Sequence, residues 1–334
     1  MDSNSNPQGS VQPLLQPLSV GNAVSAGLRL YSSHFQQYIT VALVATLWIL
    51  LPLVLAGVII LLFTTTQNYY GLLALIIPAW IALLLYCIAR YMADSAAIAR
   101  LAFGELTQQP ETSQQARRFT RSRMWWFWLV ALLMSLIYGG IAVIFYILLV
   151  VLVVFTVGAM GGLALFQSGT PEVVVEQIFT NPSFVITFGL GFLALLLIFI
   201  TLFSWFGARF AVAEIPLAIE AEGDATQSIG RSWQLTQKSA WRVFLILFIT
   251  GLITIPLQFL VQMVNGAVGA VLAALMPPET PSTVLLSTVV NYILSFTISI
   301  LILPLWQTIK AVIYYDLRSR REGLGLQLRN PIDR

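Results

Sequence analysis

Charge is what this sequence has least of. Only 9% of its 334 residues are Asp, Glu, Lys or Arg, against about 25% in an ordinary soluble domain. So few charges cannot dress a water-facing surface, which argues against a soluble globular enzyme and makes the bilayer the expected solvent. Cysteine is almost absent too: Cys87 stands alone, so no intrachain disulfide forms, and cysteine usage leaves the redox compartment open. His34 is the single histidine, which rules out a His-rich metal site or a Cys/His cluster. There is no His-Glu-x-x-His, dinucleotide turn, phosphate loop or nucleophile elbow. The carboxylates of Glu220-Ala-Glu222-Gly-Asp224 read as a solvated helix end rather than an acid/base pair. A net charge of +3 gives no reason to expect nucleic acid, and no cofactor is expected. The first 17 residues, rich in Ser, Asn, Gln and Pro, lack the basic and apolar parts of a signal peptide and read as a disordered cytoplasmic tail.

What the chain has in quantity is apolar length. A spanning helix needs about 20 mostly apolar residues. Runs at about 39–63, 71–89, 124–157, 184–207, 243–264 and 284–309 meet that need. The uncharged run 124–166 is long enough for two spans, and charge sidedness decides between the readings. Every Lys and Arg falls in one of four stretches: Arg29; Arg90 to Arg123; Arg209 to Arg242; and Lys310 to Arg334. The connections 64–70, 167–183 and 265–283 carry only Glu172, Glu176 and Glu279. Six spans place every basic residue on one side; seven would split them. The positive-inside rule then predicts six spans with both termini cytoplasmic, in a bacterial inner or internal membrane. The surplus of the third run becomes a Gly-rich extension, Gly158 to Gly162, followed by a helix start at Thr170-Pro171-Glu172.

The expected fold is therefore all-α and polytopic: six transmembrane helices as three helical pairs, with cytoplasmic amphipathic helices. Residues 18–323 form the membrane domain, and 324–334 a cytoplasmic tail. Gly21, Arg29 and Tyr31 match Gly223, Arg231 and Trp233 at a shift of 202, and Ala89-Arg90-Tyr91 matches Ala208-Arg209-Phe210 at a shift of 119, as a repeated unit would. Ser19 is the expected N-cap of a helix running to Gln37, with Val20, Val24, Gly27, Leu28, Tyr31 and Phe35 as its apolar stripe. A second such helix spans Asp224–Ser239, with Ile229, Trp233 and Leu235 as its apolar part. Either could lie on lipid or pack on the protein's own spans.

Three sets of residues are site candidates. Arg117, Arg118, Arg121 and Arg123, followed by Trp125 and Trp126, form a boundary cluster in which guanidiniums meet headgroups and indoles sit at the interface. With Arg318, Arg320 and Arg321 they are candidates for docking lipid or protein. Gln258, Gln262 and Asn265 share one face of the fifth span, and Asn291, Ser295 and Ser299 one face of the sixth. These faces suit hydrogen bonding between spans or a polar cavity. Ionisable groups stay near span ends, which argues against a proton-driven pump.

The third set carries a family resemblance. Glu214-Ile-Pro216, Glu220 to Ala225 and Arg231-Ser-Trp233, with Arg209 just before them, form one motif; Tyr314-Tyr315-Asp316 to Glu322-Gly323-Leu324 form another. Together with Leu18 to Phe35, they resemble the membrane domain found in glycerophosphoryl diester phosphodiesterases and in stand-alone membrane proteins. The phosphodiesterase barrel needs two histidines and several metal-binding carboxylates, and the chain as read holds no such barrel. The resemblance thus implies no catalytic or metal residue here, but a membrane module that recruits, orients or regulates a partner. Asp316 is expected to pair with an arginine at the end of another helical pair, such as Arg209 or Arg231. The leading expectation is a non-enzymatic membrane scaffold or accessory subunit whose basic cytoplasmic face docks a protein partner or anionic lipid. The alternative is a transporter or channel-like module for a lipid or small amphiphile, and an intramembrane hydrolase ranks last because no ionisable group lies at depth. Oligomeric state is left open by the sequence.

Overall fold

The computed structural model describes residues 18–65, 70–159, 180–275 and 280–323. The N-terminal tail, the Gly161-Gly162 extension, Thr170-Pro171-Glu172, the outer acids Glu172, Glu176 and Glu279, and the tail 324–334 lie outside the described residues. Among the described residues all regular structure is helical: α1 Val20–Ser33, α2 Phe35–Thr65, α3 Tyr70–Leu106, α4 Ser113–Ser122, α5 Met124–Ala159, α6 Pro182–Arg209, α7 Ile215–Ile219, α8 Ala225–Thr236, α9 Ala240–Leu275 and α10 Pro281–Glu322. Six of these, α2, α3, α5, α6, α9 and α10, are long and apolar enough to cross a membrane. The chain divides into two units, Met1–Val130 with Arg209–Arg334, and Ala131–Ala208.

In the first unit, α1 starts where expected, with the Ser19 hydroxyl accepting from the Asn22 N–H at 3.1 Å. It ends earlier than expected, at Ser33, because His34 leaves helical geometry (φ −119°) and the chain restarts as α2. The buried face of α1 is Ala23, Val24, Ala26, Gly27 and Leu30, and it packs on α10. Gly27 makes that approach close: a Cβ there would sit 2.3 Å from Ile309 Cδ1. The α2 and α3 helices pack side by side, tied by the Trp80 indole N–H donating to the Pro52 carbonyl at 3.0 Å.

Two helices outrun their spans. The apolar run of α3 stops at Ala89, yet the helix continues to Leu106, and residues 93–99 are buried on every side. The reason is size: Ala93, Ala96, Ala97, Ala99 and Ala102 are 0% exposed and let neighbours come close all round. The α10 helix likewise runs past Ile309, burying Ala311 to Leu317, and stops at Gly323, which takes the left-handed conformation (φ 65°) that ends a helix cheaply. Here α10 packs on α1, α2, α3 and α9, while α4 and α7 pack on α3. The Leu18 N–H donates to Asp316 (2.9 Å) and its carbonyl accepts from Arg320 (2.9 Å), so the first and last described segments meet at one end of this unit.

The second unit holds most of α5 and of α6. Tyr138 meets Phe203 (centroids 5.0 Å apart) and Phe145 meets Phe199 (4.5 Å). Gly191 admits Leu152, whose Cδ1 would lie 2.7 Å from an added Cβ. Large apolar side chains such as Ile144, Phe155 and Leu190 remain more than half exposed, as lipid-facing positions are.

Candidate functional site: the ionic base of the first unit

Beyond the apolar runs, the first unit carries its ionisable groups in a packed base. Its centre is Asp94 on α3, with a side chain 0% exposed. Such a carboxylate is tenable only if matched in charge and hydrogen bonds. Two arginines of α4 supply the match. Arg121 Nε is 2.9 Å from Asp94 Oδ1 and its second donor 3.1 Å from Oδ2, while Arg117 reaches the same oxygens at 3.2 and 3.4 Å. Arg117 and Arg121 stand one turn apart, so both reach one acid. A reciprocal Thr112–Gln115 capping box fixes where α4 begins.

The neighbours follow the same logic. Arg100 makes a two-pronged contact with Glu111 (2.6 and 2.7 Å) and donates to the Ala218 carbonyl (2.9 Å). Arg123 donates to the carbonyls of Leu217, Glu220 and Ala221, groups that the short α7 leaves without helical partners. Arg231 bridges Glu220 (3.4 Å) and Glu322 (2.6 Å), and Glu322 also takes Arg318 at 2.9 Å. The Arg209 guanidinium lies over the Trp233 ring at 3.9 Å. Tyr315 is buried with its ring edge-on to Phe103.

Asp316 departs from expectation. Its partners are Arg320 (3.0 Å) and Arg242 (3.3 Å), with the Leu18 N–H, rather than Arg209 or Arg231. The i, i+4 neighbour and the root of α9 are simply nearer, and Arg209 and Arg231 face Trp233 and the glutamates. The α8 helix also differs. It runs Ala225–Thr236 under an Asp224 N-cap, and beside Ala225 and Leu235 its buried face is hydroxylic. Ser228 donates to the Ala213 carbonyl at 2.6 Å and Ser232 to that of Arg209 at 2.9 Å, while the Thr236 hydroxyl lies within reach of the carbonyls of Ser232 (2.7 Å) and Arg209 (3.1 Å). The Gln227 N–H and the Thr226 hydroxyl hold the Asp224 carboxyl below its usual range.

The docking candidates separate into two groups. Arg117, Arg121, Arg123, Arg318 and Arg320 are engaged as above, and Arg321 donates to the Gln237 carbonyl. Arg118 is exposed, as are Trp125 (54%) and Trp126 (43%). The polar faces do not converge on one cavity. Asn265 and Asn291 line a cleft of about 350 Å³, while Gln258 and Ser299 line another of about 490 Å³. Gln262 is exposed, and Ser295 donates to Asn291 within α10 (3.3 Å).

The larger cleft has a polar head at the base. Lys310 Nζ lies 2.8 Å from Glu214 Oε1, and the Gln307 amide donates to the same oxygen (3.1 Å) and to Ser95 Oγ (2.8 Å). Burial opposes ionisation of Glu214, but the charge and hydrogen bond of Lys310, with that of Gln307, hold its carboxyl below the usual range. Asp94, Arg100, Ser95 and Gln307 were not marked as site residues by the sequence. The alanine run around Asp94 was the available signal.

No curated protein and no solved structure matches the chain. The stretch Leu18 to Phe35, which also bore the resemblance, lies outside the family match that is found. Residues 171–324, which carry Glu214, the α8 motif and the exit of α10, match the membrane domain of glycerophosphoryl diester phosphodiesterase.

Proposed function

We propose that the chain is a non-enzymatic integral membrane scaffold or accessory subunit whose basic face docks a protein partner among anionic lipid headgroups. The positive-inside rule puts that face, and both termini, in the cytoplasm. One observation carries the reading: the base is cross-linked internally, and the groups it leaves outward include three cations and three indoles. Asp94, Glu214 and Asp316 are each engaged by arginine or lysine, which suits a rigid platform better than acid/base chemistry. Arg29, Arg118 and Lys238 are exposed, with Trp125, Trp126 and Trp241 exposed at the span roots. Cations beside indoles are what an anionic membrane surface attracts.

Affinity purification from native membranes in mild detergent, with protein and lipid mass spectrometry, tests the reading. A stoichiometric protein partner, lost on Arg118→Glu with Trp126→Ala, is the expected result. Recovery of the chain alone, together with hydrolysis of a glycerophosphodiester by the purified protein, would overturn it.

A further inference from the structure

We infer that the cleft between α3, α9 and α10 holds one zwitterionic phospholipid whose head carries a primary ammonium. The cleft measures about 490 Å³, within the range of small-molecule sites. It is charged at one end, and the rest of its wall is mostly apolar, broken by Gln258 and Ser299. Glu214, Lys310, Gln307 and Ser95 form the polar end, and Trp306, Leu303, Ile302 and Ile298 descend from it. From Lys310 to Ser299 the wall of α10 runs about 16 Å, at ~1.5 Å per residue, the length of a substantial part of one acyl chain.

Gln307 identifies the head. It is 3% exposed, and its Oε1 has no hydrogen-bond partner. The amide cannot be turned round to relieve this, because its other end donates to a carboxylate, which only accepts. A buried orphan acceptor calls for a donor. Beside it stand a carboxylate and an ammonium that cancel in charge, so a head of no net charge is matched best. An ammonium N–H₃⁺ can donate to Gln307 Oε1 beside Glu214, while a phosphate oxygen accepts from Lys310. A trimethylammonium head has the same charge but no N–H to donate. An anionic head would leave Oε1 unmatched by a cation. This lipid site is independent of the docking face proposed above, since none of its residues belongs to that face.

The test is competitive retention. The full chain is placed in nanodiscs holding equal parts of phosphatidylethanolamine, phosphatidylcholine and phosphatidylglycerol with identical acyl chains. Native mass spectrometry then reads the lipid that stays bound. Phosphatidylethanolamine is expected to exceed phosphatidylcholine by about tenfold, the worth of one charge-assisted hydrogen bond. Ile302→Trp, which fills the cleft below the head, should abolish the preference while leaving the melting temperature in lipid-free detergent unchanged. Equal retention of the two zwitterionic lipids, or a preference for phosphatidylglycerol, overturns the proposal. So does free phosphoethanolamine displacing the lipid at an equal concentration, which would make the ligand a soluble one.

Discussion

The base of the first unit and the α5/α6 stretch of the second answer opposite solvents with the same kind of helix. In the base, Asp94 is 0% exposed between Arg117 and Arg121, and the alanines of α3 let neighbouring elements close around it. In the second unit, Ile144, Phe155, Ile186 and Leu190 are all more than half exposed, and the contacts between α5 and α6 include aromatic pairs and a glycine seat. Lipid tails are as apolar as leucine, so a lipid-facing helix needs no tight internal match. A buried carboxylate has no such freedom. Specificity of packing therefore belongs to the base, and mutations should separate the two regions sharply.

The largest separation is expected from Asp94→Ala. It leaves two guanidiniums facing an apolar wall, and breaking such a pair costs about 3 kcal/mol, at the low end because arginines 22% and 29% exposed can rehydrate. Phe155→Ala, at a site 69% exposed, should change stability by no more than about 0.5 kcal/mol. Melting of both variants in one detergent checks this, and equal shifts would break the distinction between regions.

Acid should act on the base as well. The folded Glu214 carboxyl is held below its ordinary value of 4.5. Its contribution to stability is therefore complete above about pH 4.5 and is lost as pH falls through the folded value. Lys310→Met removes the charge that outweighs burial. The melting-temperature gap between wild type and this variant is expected to be widest near pH 7 and to shrink below pH 4.5, where a protonated Glu214 needs no cation. A gap that stays constant from pH 7 to pH 3.5 would show that Lys310 acts by packing alone.

Gly27 sharpens the comparison on a purely steric ground. An alanine there meets Ile309 Cδ1 at 2.3 Å, an overpacking cost of about 1–3 kcal/mol, against which its better helix propensity returns up to about 1 kcal/mol. The net loss should be about 1 kcal/mol. Ile309→Val, which lacks Cδ1, should recover most of it in the double variant.

How much of this could be read from the chain follows the same division. The six long helices were legible because apolar length is a property of each run by itself, and the Ser19 cap because its partner is three residues away. The base was less so. Arg90, Asp94 and Arg100 mark the end of a span by hydropathy, yet α3 continues straight through them; only the alanine spacing hints that a packed core surrounds it. The hydroxylic face of α8 was hidden because Ile229 and Trp233 look like the natural core residues, while Ser228, Ser232 and Thr236 are buried by what they bond. Partners far apart in sequence, such as Gln307 with Glu214 or Asp316 with Arg242, carry no spacing signal at all.

The smallest effect tests that hydroxylic face. The Arg209 carbonyl, in the last turn of α6, has no following helical turn to donate to it; Ser232 donates to it, and the Thr236 hydroxyl, nearer the Ser232 carbonyl (2.7 Å), stands 3.1 Å away and can turn to it. Ser232→Ala alone leaves Thr236 in place and should cost about 0.5 kcal/mol, the low end for one neutral hydrogen bond. Thr236→Val should cost a similar amount. The two together take both hydroxyl donors from a buried carbonyl, and a desolvation penalty of about 1–3 kcal/mol then appears. Their sum is thus expected to fall short of the double variant in a melting cycle, because each hydroxyl covers for the other. Strict additivity would mean that water reaches the carbonyl once either hydroxyl is gone, and that this edge of the base is wet rather than sealed.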